Sequence, residues 1–442
     1  MAKGKDLGVE RCPGPKKTPE RAEKGQEGGR HRRCRLIEPG ENINIFNLDR
    51  VFGRHKRARS PILGAEGGHK LSRAPEIASL PDPQLPPESW ASSLLTQAGT
   101  ALDATVLGAM RIAVDALLMP PPERLDELRA SASPLLDPAL QREPARFFAF
   151  EPPPRPFAKV DHDWRMLTGG EAVGRALRSG YRPCDVAGVG PLSATDEWIL
   201  FEHWVHRRQP PRGTVVGLHG FTMGRPRIDA LVLFASQWFA RGLDVALLTL
   251  PHHGARTPAD ARFSGERFAV PHVANLAEAV RQAMYEIRLL IDWLRETTGA
   301  PVGLLGVSLG GYLSALAASL WDDLDFVVPM VPPVCMGDLA WRFFLMSRRY
   351  RGGLPPAFSQ QELRASFRVH SPLAHPLRVP RERALIVAGR GDRIVPPEHP
   401  HALWEHWGRP SIHWFSGGHL TPFGRGRIVE AIDLHLERLG VL

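Results

Sequence analysis

Ser308 is the residue whose surroundings most clearly indicate chemistry, because it lies in the pattern Gly306-Val307-Ser308-Leu309-Gly310-Gly311. The apolar run Val302–Val307 predicts a buried strand, and the small residues of Leu309–Leu320 predict a helix after it. A serine on so tight a strand-to-helix turn extends its hydroxyl above the sheet, and the glycines on either side let neighbouring backbone approach. Backbone N–H groups at the start of the helix point to the same place and can stabilise an oxyanion. We therefore predict that Ser308 is a nucleophile.

A serine nucleophile needs a base, and His419 with Asp392 meets that need. A hydroxyl reacts poorly at neutral pH unless a histidine, oriented by a carboxylate, removes its proton. Asp392 follows the predicted strand Ala384–Ala388, and His419 follows the predicted strand Ser411–Phe415. Sites form at these ends of parallel strands, and the chain order Ser, Asp, His is the one expected for this kind of turn. We predict that the three residues form a catalytic triad.

Other residues are rivals for the same roles. Asp338 follows a predicted strand and is the best alternative acid, whereas Asp325 precedes its strand. Cys335 lacks the glycine turn that would present it as a nucleophile. Structural roles are expected for the histidines that fall inside predicted helices or strands, which are His399, His401, His406 and His413.

The second oxyanion donor is expected in the loop after an early strand. The segment Leu218-His219-Gly220-Phe221-Thr222-Met223-Gly224 follows the predicted strand Gly213–Leu218. We predict that the backbone N–H groups of Phe221 and Leu309 form the oxyanion hole. Gly220, like Gly306 and Gly310, would support the turns, and His219 is expected to be a structural hydrogen-bonding residue.

Apolar segments that alternate with amphipathic helices surround these motifs. Strands that are apolar throughout are typical of a parallel sheet covered by helices on both faces, so the sequence predicts the α/β class. The predicted strands are Trp198–Val205, Gly213–Leu218, Asp244–Leu250, Val302–Val307, Phe326–Met330, Ala384–Ala388 and Ser411–Phe415, and the predicted helices are Ile228–Arg241, His272–Thr298, Leu309–Leu320, Pro397–Trp407 and Ile428–Leu439.

The first 180 residues have a different organisation. Ser89 is a plausible N-cap for a helix that reaches Leu118, and its apolar stripe is expected to pack on the main domain. Residues 120–180 are rich in proline and are expected to form an irregular, wrapping extension. The predicted domains are a basic disordered tail over 1–75, a helical and Pro-rich extension over 76–180, and a catalytic domain over 181–442. The stripe consists of Trp90, Leu94, Ala98, Leu102, Val106, Met110, Ala113 and Leu117.

The charge of the chain belongs to the predicted tail. The 442 residues include 56 Lys+Arg and 47 Asp+Glu, a net charge of +9, and residues 1–75 account for this entire surplus. Basic clusters such as 31–35 and 54–59 could contact RNA, DNA or anionic lipid weakly, or could be solvated. Because residues 76–442 are electrically balanced, no specific nucleic-acid partner is expected.

Several classes of protein are disfavoured by composition. Four cysteines, Cys12, Cys34, Cys184 and Cys335, are too few and too scattered for a disulfide scaffold or a structural zinc site. The pair His252 and His253 lacks the spacing of metal ligands on a helix, so no metal and no cofactor are expected. No uncharged apolar run is long enough to span a membrane and no signal peptide is evident, so a cytoplasmic location is expected.

These motifs together resemble the alpha/beta-hydrolase superfamily. The resemblance covers about 181–442 and rests on HGFTMG, GVSLGG, GRGDRIVP and GGH in the expected order, and the loop 250–257 is similar to that of esterase-like members described only as alpha/beta-hydrolase domain-containing. The resemblance implies the alpha/beta-hydrolase fold and cleavage of an ester or thioester. Ser308 stands where the dehalogenase branch has Asp and polyester synthases have Cys, so it argues against both.

The stretch 333–380 interrupts the sheet pattern, and members of this fold often carry a cap there. Between 339 and 379 the chain has seven Arg and one acidic residue. Trp341, Phe344, Arg348 and Arg349 could contact an acyl chain and an anionic head group, or the segment could pack an apolar face and solvate the arginines. We predict a carboxylic ester hydrolase acting on a small-molecule ester or acyl substrate through an acyl-enzyme. The alternatives are an acyltransferase with the same triad and a non-enzymatic binding protein.

Overall fold

The computed structural model describes residues 80–113, 120–150, 158–183, 197–268, 273–350 and 359–442, and the predicted tail, 1–75, lies outside them. Nine strands form one sheet in the order β1-β2-β3-β5-β4-β6-β7-β8-β9. β5, β4, β6, β7, β8 and β9 are parallel, whereas β1, β2 and β3 add an antiparallel edge. The strands are β1 Ala158–Leu167, β2 Gly170–Arg178, β3 Trp198–His206, β4 Gly213–Leu218, β5 Leu243–Thr249, β6 Val302–Val307, β7 Val327–Met330, β8 Leu385–Gly389 and β9 Ser411–Phe415.

The central strands are buried on both faces, which explains their unbroken apolar sequences. Val215 and Leu247 point into one hydrophobic core, while Val216 and Leu248, one residue later on the same strands, point into the other. Alternate side chains of a strand face opposite sides of a sheet, so both sides demand apolar residues here. The predicted mostly parallel sheet with helices on both faces is confirmed.

Helices connect the parallel strands and cover the sheet. One core includes residues of α6 and α7, and the other includes residues of α5 and α11. The single helix predicted over 228–241 is two helices, because Phe234 at φ 56° interrupts the hydrogen-bonding pattern. The helices are α1 Trp90–Ala113, α2 Leu125–Ala132, α3 Pro138–Arg142, α4 Pro226–Val232, α5 Ala235–Ala240, α6 Val273–Thr298, α7 Leu309–Leu320, α8 Met336–Met346, α9 Gln360–Phe367, α10 Glu398–His406 and α11 Arg425–Arg438.

The segment 158–178 is regular, although the sequence predicts a Pro-rich and irregular extension there. β1 and β2 pair antiparallel, and β2 continues the pairing to β3 from Gly170 opposite His206 to Arg178 opposite Trp198. This expectation was wrong because the prolines of the extension all precede β1. The sheet therefore begins before the predicted catalytic domain does.

The predicted N-terminal helix is present as α1, and its predicted end at Leu118 lies outside the described residues. The described part of the face expected to pack is largely exposed. Trp90, Leu94 and Leu102 are 78%, 55% and 44% exposed. The adjacent face, one residue further along the helix, packs instead: a Cβ placed on Gly99 would lie 2.3 Å from the backbone nitrogen of Gly418. Close backbone contact selects for a small residue rather than for apolar periodicity, so the hydrophobic pattern indicated the wrong face.

The interruption predicted after a strand lies between β7 and β8. It contains α8 and α9, which pack against each other. In the described part of the chain, no helix is both long enough and apolar enough to cross a membrane.

Candidate active site

Ser308 occupies the sharp turn between β6 and α7. Its backbone has φ 55° and ψ −113°, a strained conformation for a residue with a side chain. A Cβ at Gly306 would lie 2.1 Å from the carbonyl oxygen of Gly310, and a Cβ at Gly310 would lie 2.0 Å from that of Leu218. Only glycine fits at either position, so the spacing of the motif follows from the close approach of strand and helix.

The three predicted triad residues meet at the carboxyl ends of β6, β8 and β9. Nε2 of His419 lies 3.0 Å from Oγ of Ser308, and Nδ1 lies 2.6 Å from Oδ2 of Asp392. The second oxygen of Asp392 accepts the backbone N–H groups of Ile394 at 2.9 Å and Val395 at 2.7 Å. These bonds orient the carboxylate, which in turn holds Nδ1 of the imidazole protonated and leaves Nε2 free to accept the serine proton.

The charges around His419 favour its protonated form. Burial of the imidazole acts to lower the pKa of His419, but the charge and hydrogen bond of Asp392, together with the charge of Asp103, raise it above its usual value. The imidazole of His419 is therefore well placed to hold a proton as a general base would.

The loop after β4 lies beside the nucleophile. A Cβ on Gly220 would lie 3.6 Å from Cβ of Ser308. Within the described residues, neither the N–H of Phe221 nor that of Leu309 has a hydrogen-bond acceptor. Two amide donors at this position suit a developing oxyanion.

His219 holds that loop in place. Its Nδ1 lies 2.8 Å from the carbonyl oxygen of Gly220, and its Nε2 accepts the N–H of Leu250 at 3.1 Å, so Nδ1 is the protonated nitrogen. Complete burial lowers the pKa of His219 to about 4 and keeps the ring neutral. Since the C=O and N–H of a trans peptide point in opposite directions, fixing the Gly220 carbonyl also fixes the direction of the Phe221 N–H.

Asp103 of α1 is a site residue that sequence analysis missed. This fully buried carboxylate accepts the N–H of His419 at 2.6 Å, of Arg393 at 3.1 Å and of Leu420 at 3.2 Å. Thr100, one turn earlier, donates its hydroxyl to the carbonyl oxygen of Gly391 at 3.1 Å. One helix of the N-terminal extension thus holds both loops that carry the base and the acid. The signal in the sequence was a carboxylate that is the single acidic residue of the described span Trp90–Ala113.

The rival residues have other partners. Asp338 lies 2.5 Å from Nε of Arg364, on the neighbouring helix α9. Burial raises the pKa of the Cys335 thiol to about 12, so it holds its proton. Nε2 of His406 donates to the carbonyl oxygen of His375 at 2.7 Å. None of these groups contacts Ser308 within the described residues.

The predicted cap residues occupy different environments. Phe344 is buried against Tyr350, with ring centroids 5.1 Å apart, and Trp341 packs against the hydrophobic core. Arg348 and Arg349 are exposed beyond the end of α8. The side chains of α8 that line a cavity shared with α1 and Arg393 are those of Arg342, Phe343 and Met346.

His252 and His253 follow β5 and have no metal-site geometry. Burial lowers the pKa of His253, whose Nδ1 lies 2.8 Å from the carbonyl oxygen of Pro251. Among the residues that the structure describes, no group of three His, Cys, Asp or Glu side chains could hold a metal ion.

Comparisons with known proteins give one family match. Residues 227–336, which include the strand, turn and helix around Ser308, match the model of the family described as alpha/beta hydrolase domain containing 18. Two uncharacterized proteins of Mycobacterium tuberculosis, from strains H37Rv and CDC 1551, are each 32% identical over 315 residues, covering 68% of this chain and 71% of the relative. This extent of identity places the chain in one family with these proteins.

Solved structures with a similar chain path include two acetyl xylan esterases. The first, acetyl xylan esterase 1 from Thermoanaerobacterium sp. JW/SL YS485, is 16% identical with a TM-score of 0.48, covering 73% of this chain and 96% of its own. The second, from Paenibacillus sp. R4, is 15% identical with a TM-score of 0.49, covering 66% of this chain and 93% of its own.

Proposed function

The chain belongs to the alpha/beta-hydrolase superfamily, and we propose that within it the protein is a serine hydrolase that cleaves a carboxylic ester of a small molecule. The observation that carries the proposal is the continuous chain of hydrogen-bonding contacts from Ser308 through His419 to Asp392. A serine in this arrangement attacks carbonyl carbons.

The reaction proceeds in two steps through an acyl-enzyme. His419 takes the hydroxyl proton of Ser308 across the 3.0 Å contact as Oγ attacks the ester carbonyl. The N–H groups of Phe221 and Leu309 hold the oxyanion, and His419 then gives its proton to the leaving alcohol. In the second step His419 takes a proton from water, the hydroxide attacks the acyl-enzyme, and His419 returns the proton to Ser308 as the carboxylic acid leaves.

Replacing Ser308 by alanine tests this proposal. Since loss of a triad nucleophile removes most of the catalytic rate, hydrolysis of a neutral short-chain 4-nitrophenyl ester by Ser308→Ala should fall at least ~10³-fold. Wild-type protein should be labelled covalently by a fluorophosphonate probe, and peptide mass spectrometry should place the adduct on Ser308.

The exposed serine at the start of β9 provides a matched control. Ser411→Ala should keep both hydrolysis and labelling, because Ser411 is exposed and forms no contact with the triad among the described residues. Retained ester cleavage or retained labelling in Ser308→Ala would refute the assignment of the nucleophile.

A further inference from the structure

A cavity lies between α1 and α8, next to the loop that carries Asp392. Its volume is about 660 Å³, within the range of small-molecule sites. A smaller cavity of about 240 Å³ shares three of its lining residues with this one and is also lined by Asp392. The larger cavity is lined by one face of α1, by Arg342, Phe343 and Met346 of α8, and by Arg393 of the Asp392 loop.

Two cations border this mostly apolar space without a partner among the described residues. Neither the guanidinium of Arg342 nor that of Arg393 forms a hydrogen bond or an ion pair there, whereas Arg364 pairs with Asp338 and Arg390 lies 3.6 Å from a carboxylate oxygen of Glu88. Arg342 is half-buried, and burial lowers its pKa because desolvation disfavours the cation. A half-buried guanidinium gains most from an anion that matches its planar donors.

The guanidinium groups keep hydrogen-bond donors that no described acceptor uses. Asp392 and Glu398 are the carboxylates of the smaller cavity, and the charge of each acts to raise the pKa of Arg342. The oxygens of Asp392 accept from His419 and from two backbone N–H groups, and neither carboxylate forms an ion pair with Arg342 or Arg393 among the described residues. The walls formed by α1 and α8 therefore combine apolar surface with two guanidinium groups whose donors can bind an anionic group.

We propose that this cavity binds the far end of the ester substrate, an apolar chain that ends in an anionic group held by Arg342 and Arg393. The inference rests on the proposed ester hydrolysis and names the substrate class: esters or thioesters whose chain carries a terminal carboxylate or phosphate. It assigns anion recognition to two residues other than Arg348 and Arg349, which sequence analysis singled out and which do not line the cavity.

Chain-matched substrates test the proposal. Mono-4-nitrophenyl suberate carries a terminal carboxylate, and 4-nitrophenyl octanoate has the same chain length without it. Wild-type protein should cleave the suberate with the lower KM, by about 10-fold, the factor that one charge-assisted hydrogen bond supplies. In the double variant Arg342→Gln/Arg393→Gln, the difference between the KM values of the two esters should disappear.

The matched control is Arg348→Gln/Arg349→Gln, which removes the same charge from exposed positions on the same segment. It should keep the preference for suberate. Equal KM values for the two esters in wild type, an equal loss of both activities in the Arg342/Arg393 variant, or loss of the preference in the control would each overturn the proposal.

A binding measurement separates this inference from the proposed function. Ser308→Ala protein should bind octyl phosphate and octanoate more tightly than octanol in calorimetric titration, and the Arg342/Arg393 double variant on that background should lose the difference. The two anions distinguish phosphate from carboxylate recognition. If wild type cleaves the neutral ester and reacts with fluorophosphonate but shows no anion preference, only the inference fails. If wild type neither cleaves the neutral ester nor reacts with fluorophosphonate, the proposed hydrolysis fails. The calorimetric titration then tests by itself whether the cavity binds an anion.

Discussion

The imidazole of His419 lies between two carboxylates from distant parts of the chain. Asp392 bonds its side chain at Nδ1, and Asp103 bonds its backbone N–H from α1. The first contact sets the tautomer of the base, whereas the second holds the loop that carries it. The position of His419 therefore depends on Asp103 as well as on Asp392.

Replacing Asp103 by asparagine should change the pH dependence of catalysis. His419 must be neutral to accept a proton, so kcat/KM rises with pH through the His419 pKa, which the two carboxylates raise above its usual value of about 6.5. Removing the charge of Asp103 lowers that pKa, so the acidic limb of the kcat/KM profile should move to lower pH. The plateau value of kcat/KM should also fall. The amide NH₂ of asparagine is a donor, so it cannot accept the N–H of Leu420 as the carboxylate oxygen does.

The control for this experiment is Thr105→Ala on the same helix. Thr105 is exposed, and the carbonyl oxygen of Ala101 is the single hydrogen-bond partner of its hydroxyl among the described residues. Its profile should superimpose on that of wild type. An unshifted acidic limb in Asp103→Asn would contradict the electrostatic role of Asp103.

At the scale of elements, a buried ion pair joins the loop after β5 to α6. Arg256 and Glu286 are both fully buried, and two contacts of 2.6 and 2.8 Å join their side chains. Glu286 also accepts the hydroxyl of Ser179 and the amide of Gln282, each at 2.9 Å. Because His219 accepts the N–H of Leu250 in the same loop, this pair also supports the oxyanion side of the site.

Glu286→Ala should lower the free energy of unfolding by about 3 to 5 kcal/mol, since it leaves the guanidinium of Arg256 buried without its counter-ion. Urea denaturation measures the change. The double variant Arg256→Met/Glu286→Leu should recover much of the loss, because it removes both charges.

A surface pair provides the comparison. In the exposed pair, a carboxylate oxygen of Glu405 lies 3.1 Å from a guanidinium nitrogen of Arg409. Glu405→Ala breaks this pair and should lower the free energy of unfolding by less than about 1 kcal/mol. Equal destabilisation by Glu286→Ala and Glu405→Ala would show that burial does not increase the contribution of the Arg256–Glu286 pair to stability.

At the scale of the whole molecule, the charge and the chemistry are separate. The surplus of +9 lies in residues 1–75, and every described contact to the triad comes from residues 80–442. Deleting residues 1–75 should therefore leave kcat/KM for a neutral ester unchanged. Any weak binding of nucleic acid or anionic vesicles should be lost with the tail and should weaken with salt. A large fall in kcat/KM would show that the tail takes part in catalysis.

The parallel sheet and the meeting of Ser308, Asp392 and His419 were predictable because each depends largely on local sequence. Continuous apolar segments indicate strands that are buried on both faces of the sheet. The glycines around Ser308 indicate close backbone contact within a few residues. Leu309–Leu320 and Ser411–Phe415 are present with the bounds predicted. The strand ends then limited where an acid and a base could lie.

What only the tertiary structure decided is how distant segments meet. The sequence by itself determined the α/β class and indicated which serine, aspartate and histidine lie together, because these follow from periodicity and from glycine spacing. It could not place Asp103 against His419, 316 positions away, nor choose which face of α1 packs. It also could not show that Arg342 and Arg393 border one cavity. Such contacts depend on how elements are oriented in space, and a periodic pattern along the chain contains no record of that orientation.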